Sequence, residues 1–369
     1  MKLFLGYYIV LSVFCVSLFA CDTQNNWEEK TQAVLKDVVM PEAEWAMQQQ
    51  PQTIAAFVCD RSAGGSHDFY SEGDYWWPNP VNPEGPYIRK DGETNPDNFV
   101  EHRLAMIRFS KVVGSLASAY ILTGDEKYVT HAFSHINAWF VQSETMMNPN
   151  LQYAQAIKGV TKGRGIGIID TIHLMEVAQG IVKMQDAECV DKENLKAIKK
   201  WFSDYTQWLM TNQNGIDEMN AKNNHGTCWV MQVASFAKLT DNKEVLKFCK
   251  LRFKNVLLPN QMAENGSFPL ELLRTKPYGY SLFNLDAMTT ICQILSTTED
   301  NLWTYTTEKG INMKKGIDFM YPYINDKSSW TYPQDVMYWN DWPVAQPSLI
   351  FGAVAYNNEL YFDLWKKLE

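Results

Sequence analysis

Apolar residues recur at spacings of three and four along most of this chain, which is the period of an amphipathic helix. Leu104 and Ile107 show that period within residues 99–122. Asp191 and Asp241 stand where helix N-caps are expected. The pattern predicts helices over residues 99–122, 126–141, 167–185, 192–210, 226–238, 243–256, 282–296 and 302–320, with one or two more over 348–368.

Long connections rich in Pro, Gly, Asn and aromatic residues separate these helices. No alternating strand pattern of useful length appears, although short strands can lie within the loops. Helical hairpins with short turns at one end and long loops at the other predict an all-α fold, an (α/α) toroid or barrel of about six to seven hairpins with cleft-forming loops. No linker divides residues 28–369, which are predicted to form one domain. The long connections are residues 59–98, 159–165, 212–224, 259–280 and 326–347.

The N-terminus has the features of an export signal. Lys2 precedes an apolar run over residues 3–19, and Leu18-Phe19-Ala20-Cys21 is similar to a bacterial lipobox. We therefore predict a signal peptide over residues 1–20, a lipidated Cys21 and a tether over residues 21–27. This places the protein in the periplasm or outer membrane of a Gram-negative bacterium, held to the membrane only through its lipid. Plain secretion, with cleavage nearby, is the alternative.

Composition narrows the classes of partner. The formal net charge is -9, which argues against a nucleic-acid partner but not against an acidic polysaccharide, because a cleft can be locally basic. Aromatic residues make up 13% of the chain, and those at the surface of an exported protein are suited to stacking on sugars. Five cysteines remain after Cys15 and Cys21, and none form a C-x-x-C pair, so a zinc or redox site is not predicted. One disulfide between two of them is possible. The five are Cys59, Cys189, Cys228, Cys249 and Cys292.

Two polar motifs are the candidates for chemistry. Asn224-His225 ends an Asn-rich loop just before an apolar helix, where an anion is favoured. Arg274 can grip a carboxylate through two hydrogen bonds, and its charge can make the Tyr280 phenol easier to ionise. Pro277 argues against a regular helix through this second segment. In the alternative without chemistry, Asn224 caps a helix, His225 binds a backbone carbonyl, Arg274 pairs with Glu271 at the surface and Tyr280 is packed.

An amide, an imidazole, a guanidinium and a phenol suffice to break a 4-linked uronate. The hydrogen on C5 is weakly acidic because the adjacent carboxylate is already negative. An enzyme must neutralise that carboxylate with preorganised donors, and must place a base beside C5 and an acid beside the O4 leaving group. No metal or other cofactor is required for these steps, and none is predicted.

The order and spacing of Asn224, His225, Arg274 and Tyr280 resemble the catalytic pattern of the alginate lyase superfamily of polysaccharide lyases. The segment His67-Asp68 and Tyr75-Trp76-Trp77-Pro78, with Gly85 to Gly92, resembles the N-terminal signature of that family. Gly163 to Gly167 and Trp339 to Pro343 resemble it less specifically. The resemblance covers roughly residues 56–351 and is closest to Bacteroides-type enzymes with broad uronate tolerance.

The resemblance implies a role for each residue. Tyr280 would be the catalytic acid and, on mannuronate, also the base, whereas His225 would be the base on guluronate. Asn224 and Arg274 would hold the C5 carboxylate, and Tyr278 is a rival for the place of Tyr280. The substrate would be alginate or another polyuronate such as glucuronan, and the protein a monomer. The residues expected to contact the substrate are Arg164, Tyr75, Trp76, Trp77, His67, Arg89 and Tyr278.

Other functions stay open at this point. A hydrolase on the same kind of toroid would use a pair of carboxylates from Asp68, Asp74, Asp91 and Asp170. A lipid-anchored glycan-binding protein would need only the aromatic residues. His131 and His135 are four residues apart on a predicted helix but lack the Glu of an H-E-x-x-H motif, so we interpret them as packing residues. The Gly-rich run 159–167 lacks the Gly-Lys-Ser/Thr ending of a phosphate-binding loop.

Overall fold

Helices dominate the computed structural model, which describes residues 26–369. The predicted signal peptide and Cys21 lie outside the described residues. The helices are α1 (Trp27–Met47), α2 (Glu101–Thr123), α3 (Glu126–Phe140), α4 (Leu174–Met184), α5 (Lys192–Thr211), α6 (Gln213–Met219), α7 (Asn224–Leu239), α8 (Lys243–Arg252), α9 (Leu258–Gln261), α10 (Pro269–Leu272), α11 (Pro277–Leu295), α12 (Met313–Asn325), α13 (Pro347–Tyr356) and α14 (Glu359–Leu368).

Short 3-10 and π turns and four short strands complete the secondary structure. The turns are Ile54–Ala56, Gly165–Thr171, Phe253–Leu257, Lys327–Ser329 and Trp339–Asp341, of which Phe253–Leu257 is π-helical. The strands are β1 (Tyr70–Glu72), β2 (Trp76–Trp77), β3 (Ile88–Arg89) and β4 (Tyr153–Ala156). They pair two by two, β1 parallel to β4 and β2 antiparallel to β3.

The chain forms two compact units. The first comprises the residues up to Pro41 together with Ala221–Lys238 and Asn242–Glu369, and the second comprises Glu42–Asn220 and Leu239–Asp241. The prediction of one domain over residues 28–369 stays a prediction.

The second unit is built on α2, which packs against α3 and α4. This helix ends at Gly124, whose φ of 69° lies in the left-handed region that glycine enters without steric cost. Asp125 then caps α3 by accepting a hydrogen bond from the N–H of Lys127. By length and composition alone, α2 is long and apolar enough to cross a membrane, and Gly165–Thr171 with α4 would also pass if this bent pair formed one span. Of the most apolar window of α2, 72% is buried within the protein, as in the core helix of a globular unit.

The first unit is built on α11, in which every residue from Pro277 to Leu295 is buried. This helix packs against α10, α12 and α13, and α13 packs against α14. Buried polar side chains lie along the whole helix, among them Asn284, Asp286 and Thr289, so polar groups are not confined to its first turn. Tyr280 lies in that turn.

Several helix predictions are confirmed and several are wrong at their ends. Asp191 caps α5 as predicted, but α8 is capped by Asn242 and not by Asp241. Leu104, expected in the core, is 42% exposed. The segment predicted as helix over 302–320 is irregular until Met313, because it contains three threonines and the left-handed Gly310. The predicted loop 212–224 contains helix α6, and α1 was not predicted.

Proline also has a different role from the one expected. Pro277 was predicted to prevent a regular helix, yet it is the first residue of α11, where its missing N–H costs nothing. Tyr278 and Tyr280 therefore lie on a regular helical turn. The structure also answers the question of a disulfide. All five cysteines that it describes are free thiols, and no two of them are bonded.

Asp286, in the middle of α11, gives a prediction for stability. Burial raises its carboxyl pKa to about 7, and Oδ1 accepts a hydrogen bond of 3.1 Å from the N–H of Ser348. Because the raised pKa lets the folded state bind a proton that the unfolded state releases, stability falls as pH rises from about 4 to about 7. Asp286→Asn keeps the acceptor without the charge. We expect it to stabilise the protein by up to about 4 kcal/mol at pH 8.

Urea unfolding at pH 5 and pH 8 measures this effect. The gain should shrink at pH 5, where the native carboxyl is already protonated. The exposed Asp60→Asn is the matched control and should change stability little at either pH. An equal gain from Asp286→Asn at both pH values would contradict the argument.

Candidate active site

The site begins with a buried contact between Asn224 and Glu271. Asn224 is the first residue of α7 and Glu271 lies in α10, and each is only 1% exposed. Both the backbone N–H and the side-chain Nδ2 of Asn224 donate to the Glu271 carboxylate, at 2.7 and 2.8 Å. Asn224 is therefore held by a residue 47 positions away and does not act merely as a helix cap. The bond to Glu271 uses one of the two N–H groups on Nδ2.

Arg274 and Tyr280 form a second contact. Arg274 Nη2 lies 3.4 Å from the Tyr280 hydroxyl, and its guanidinium carbon lies 4.5 Å from the centre of the Tyr280 ring. Arg274 stands between α10 and α11 and is half-buried, so its charge is only partly screened by water. A cation at this distance stabilises the phenolate form of tyrosine.

Glu271 links these contacts electrostatically. Burial raises the pKa of its carboxyl, while the hydrogen bonds from Asn224 and the charges of Arg274 and His225 oppose that rise. The structure thus gathers the four predicted residues in the first unit, with Asn224, His225 and Arg274 around Glu271 and Tyr280 against Arg274. Glu271 entered the sequence analysis only as a surface partner for Arg274. The surface location is wrong, because the carboxylate is buried and bonded to Asn224, whereas the charge of Arg274 does act on it.

Gln261 braces the same region. This buried side chain accepts hydrogen bonds from Thr227 Oγ1 and Asn284 Nδ2, both at 2.9 Å, and donates to the Asn223 carbonyl at 3.1 Å. It ties the start of α7 to α11 one turn beyond Tyr280. Nothing in the spacing of the sequence marks Gln261, since its three partners are distant along the chain.

Tyr278 is a buried packing residue. It is 0% exposed, its hydroxyl donates to the Tyr323 carbonyl at 3.1 Å, and its ring packs edge-on against Trp330 and Trp339. Burial also raises the pKa of its phenol, which opposes a role as base. This burial argues against Tyr278 as a substrate contact and as the rival to Tyr280, and its place in the site stays a prediction.

Arg164, Trp76 and Arg89 form a basic and aromatic patch in the second unit. The Arg164 guanidinium lies 5.9 Å from the Trp76 ring centre and donates to Gln155 at 2.9 Å. Its pKa is lowered by burial and by the nearby charge of Arg89, which sits opposite Trp76 in the β2–β3 ladder and pairs with Asp91.

The other three residues predicted to contact substrate belong to the same unit. Trp77 donates through Nε1 to the Glu93 carbonyl at 3.0 Å, and the Lys90 ammonium lies 4.5 Å from its ring. Tyr75 is half-buried. His67 Nδ1 lies 2.6 Å from the Met146 carbonyl. All three keep some exposed surface, and their contact with substrate stays a prediction.

The four carboxylates considered for hydrolysis each bind a neighbouring side chain. Asp74 pairs with Arg103 at 2.6 Å, and Asp170 lies 3.5 Å from the same guanidinium. Asp170 is only 1% exposed and also accepts hydrogen bonds from Ser71 and Gln155. A buried carboxylate with this many partners is a structural anchor. The remaining two bind neighbours as well, Asp68 the Asn148 amide and Asp91 the Arg89 guanidinium.

The two candidate metal-binding histidines are packing residues, as interpreted. Their rings lie 5.1 Å apart, and Nε2 of each faces the Gln49 carbonyl, at 3.0 Å from His131 and 3.2 Å from His135. Within the part of the chain that the structure describes, no group of three His, Cys, Asp or Glu side chains is placed to hold a metal ion.

Comparison with known proteins agrees with this arrangement. A family model described as alginate lyase matches residues 55–330. An alginate lyase from Bacteroides ovatus is 31% identical, with a TM-score of 0.81, over 91% of this chain and 90% of that one. Alginate lyase A1-III from Sphingomonas species A1 is 15% identical over 86% and 85%, with a TM-score of 0.55. A histidine-to-alanine variant of A1-III complexed with a tetrasaccharide is 13% identical over 97% and 90%, with a TM-score of 0.60. Comparison with curated proteins gives no match.

These findings first define the class: the protein is a polysaccharide lyase with a helical toroid fold. The chain belongs to the alginate lyase family. The predicted fold class, an all-α toroid, is confirmed.

Proposed function

We propose that this lyase cleaves alginate, or another 4-linked polyuronate such as glucuronan, by β-elimination without a metal. One observation carries the proposal: Arg274 Nη2 lies 3.4 Å from the Tyr280 hydroxyl, and the guanidinium carbon lies 4.5 Å from the centre of that ring. A phenol held against a guanidinium is suited to exchanging a proton beside a carboxylate that the same guanidinium can bind.

In this mechanism the uronate carboxylate is neutralised first. Arg274 offers a charged donor, Asn224 offers the N–H of Nδ2 that Glu271 does not use, and His225 stands half-buried at the same helix start. Neutralisation stabilises the enolate that forms when the C5 proton leaves. Glu271 supports the proposal because it fixes Asn224 through two hydrogen bonds.

Tyr280 then moves the protons. On mannuronate, H5 and O4 lie on the same face, so the phenolate takes the C5 proton and the resulting phenol returns a proton to O4 as the bond breaks. On guluronate the two lie on opposite faces, so His225 takes the C5 proton and Tyr280 protonates O4. The product carries a C4–C5 double bond conjugated with its carboxylate. The burial of Tyr278 supports the choice of Tyr280 between the two phenols.

Substrate contacts in the second unit are a separate part of the proposal. Arg164 and Arg89 supply positive charge, and Trp76 beside them supplies a flat apolar face, which together suit a uronate ring. Tyr75, Trp77 and His67 are proposed as further contacts. The tetrasaccharide complexes of alginate lyase A1-III support an oligosaccharide partner. We further propose that the protein is exported, anchored through Cys21 and monomeric.

Ultraviolet absorbance during incubation with alginate, together with a reducing-end assay, tests the reaction. We expect both signals to rise in parallel, and to persist in excess chelator, because the new double bond absorbs and no metal takes part. Reducing ends without absorbance would identify a hydrolase. Binding without either signal would identify a glycan-binding protein, and both of these outcomes would overturn the proposal.

A further inference from the structure

Lys276 is a buried cation at the beginning of the helix that carries Tyr280. It is only 1% exposed and occupies the N-cap position of α11. Its carbonyl accepts the hydrogen bond from the Tyr280 N–H at 2.9 Å. The backbone of Lys276 therefore fixes the helical turn on which the phenol stands.

The ammonium of Lys276 lies among aromatic rings. Nζ is 5.8 Å from the centre of the Tyr280 ring and 5.3 Å from the centre of the Tyr338 ring. Tyr338 has a left-handed φ of 68°, a costly conformation for a tyrosine, which sets its ring beside the ammonium. Ammonium groups are attracted to aromatic faces at such distances.

The Asp335 carboxylate interacts electrostatically with Lys276, but its hydrogen bonds are made with backbone groups. Asp335 accepts hydrogen bonds from the N–H groups of Tyr278 and Gly279, both at 2.9 Å. Burial raises the pKa of Asp335, and the charge of Lys276 opposes that rise. Asp335 thus anchors the start of α11 and offsets part of the charge on Lys276.

Burying an ammonium costs free energy that an apolar side chain of similar size would avoid. The charged and titratable groups in this part of the first unit include Arg274, Lys276, Asp335, Glu271, His225 and the phenols of Tyr278, Tyr280 and Tyr338. Glu271 holds Asn224, and Asp335 holds two backbone amides. Arg274 and Lys276 both place a cation near the Tyr280 ring, at 4.5 and 5.8 Å from its centre.

We propose that Lys276 is a positioning residue that acts through Tyr280, its ammonium holding the negative charge of the phenolate that takes the C5 proton. This inference rests on the proposed function. Arg274 must turn its charge toward the substrate carboxylate. While it does so, the Lys276 ammonium near the Tyr280 ring continues to stabilise the phenolate form of Tyr280. Lys276 itself does not touch the substrate in this scheme.

The test is the pH dependence of kcat/KM on oligomannuronate, which reports the ionisation of the free enzyme's base. We expect Lys276→Met to shift the rise of activity toward alkaline pH by about one unit and to lower activity at pH 7 by about tenfold. Lys276→Arg should restore the profile. Lys314→Met is the matched control, because Lys314 Nζ lies 5.9 Å from the ring of Tyr361, away from this site.

A merely structural Lys276 would lower activity without moving the profile, and this result would overturn the inference. If Lys276→Met does not fold, Lys276→Gln takes its place. The pH profile of kcat/KM for the wild-type enzyme is a further test. A base with a pKa at or above about 10, the ordinary value for tyrosine, would contradict a phenolate stabilised by two cations. Activity retained in Tyr280→Phe would refute the proposed function instead. An inactive Tyr280→Phe together with an unmoved Lys276→Met profile refutes only the role of Lys276.

Discussion

Tyr280→Phe is expected to lower kcat on alginate by at least about 10³-fold, because it removes the group that both takes and returns a proton. Only the hydroxyl is lost, so the ring stays against Arg274 and the helix is unchanged. Affinity for alginate oligosaccharides should stay within about threefold, since the carboxylate-binding groups remain. Stopped assays of absorbance give kcat, and calorimetry with the inactive variant gives affinity.

Tyr278→Phe is the matched control for this experiment. It deletes the same atom two residues earlier on the same helical turn, where the hydroxyl donates to the Tyr323 carbonyl. We expect a loss of stability of about 1 kcal/mol and nearly full activity. An active Tyr280→Phe beside an inactive Tyr278→Phe would reverse the assignment of the two phenols.

The residues of the first unit show how far the sequence could be interpreted. Asn224, His225, Arg274 and Tyr280 stand out because their order and spacing resemble those of a known family. Glu271 could not be identified in this way. A carboxylate three residues before an arginine predicts a local ion pair, and only the folded chain shows that the carboxylate is buried against an amide 47 positions earlier.

Local rules misjudged α11 for a related reason. A proline in an apolar segment is compatible with a loop or with the first position of a helix, and the choice depends on what the segment packs against. Here the helix is buried along its whole length and packs against α10, α12 and α13, and Asp335 accepts from the two amides that follow Pro277. Packing and a distant carboxylate thus outweigh the expected break, and they place Tyr280 on a regular helical turn.

In the second unit, the sequence indicated the function of a loop but not its secondary structure. Its aromatic loop was recognised by composition, but strands of two or three residues leave no periodic signal. The pairing of Trp76 with Arg89 and of Trp77 with Ile88 arises from backbone hydrogen bonds between segments about a dozen positions apart. The sequence could therefore nominate these residues as sugar contacts without indicating which of them stand side by side.

Glu271→Gln should have the second largest effect, a fall in kcat/KM on alginate of about 10²-fold. The glutamine oxygen can accept one of the two Asn224 hydrogen bonds, whereas its NH2 group then faces the other donor. Asn224 is displaced as a result and no longer presents its free N–H to the substrate carboxylate. Removing a buried charge offsets the lost hydrogen bond, so the free energy of unfolding should change by less than about 2 kcal/mol.

A double-mutant cycle with Asn224→Ala decides whether Glu271 acts through Asn224. If it does, adding Glu271→Gln to Asn224→Ala should cost less than about threefold, because the group that Glu271 positions is already gone. The exposed Glu264→Gln, in the loop before α10, is the matched control for the same change of charge and should leave kcat/KM unchanged. Two losses that multiply in the double variant would mean that Glu271 contributes independently of Asn224, through its charge on Arg274 and His225.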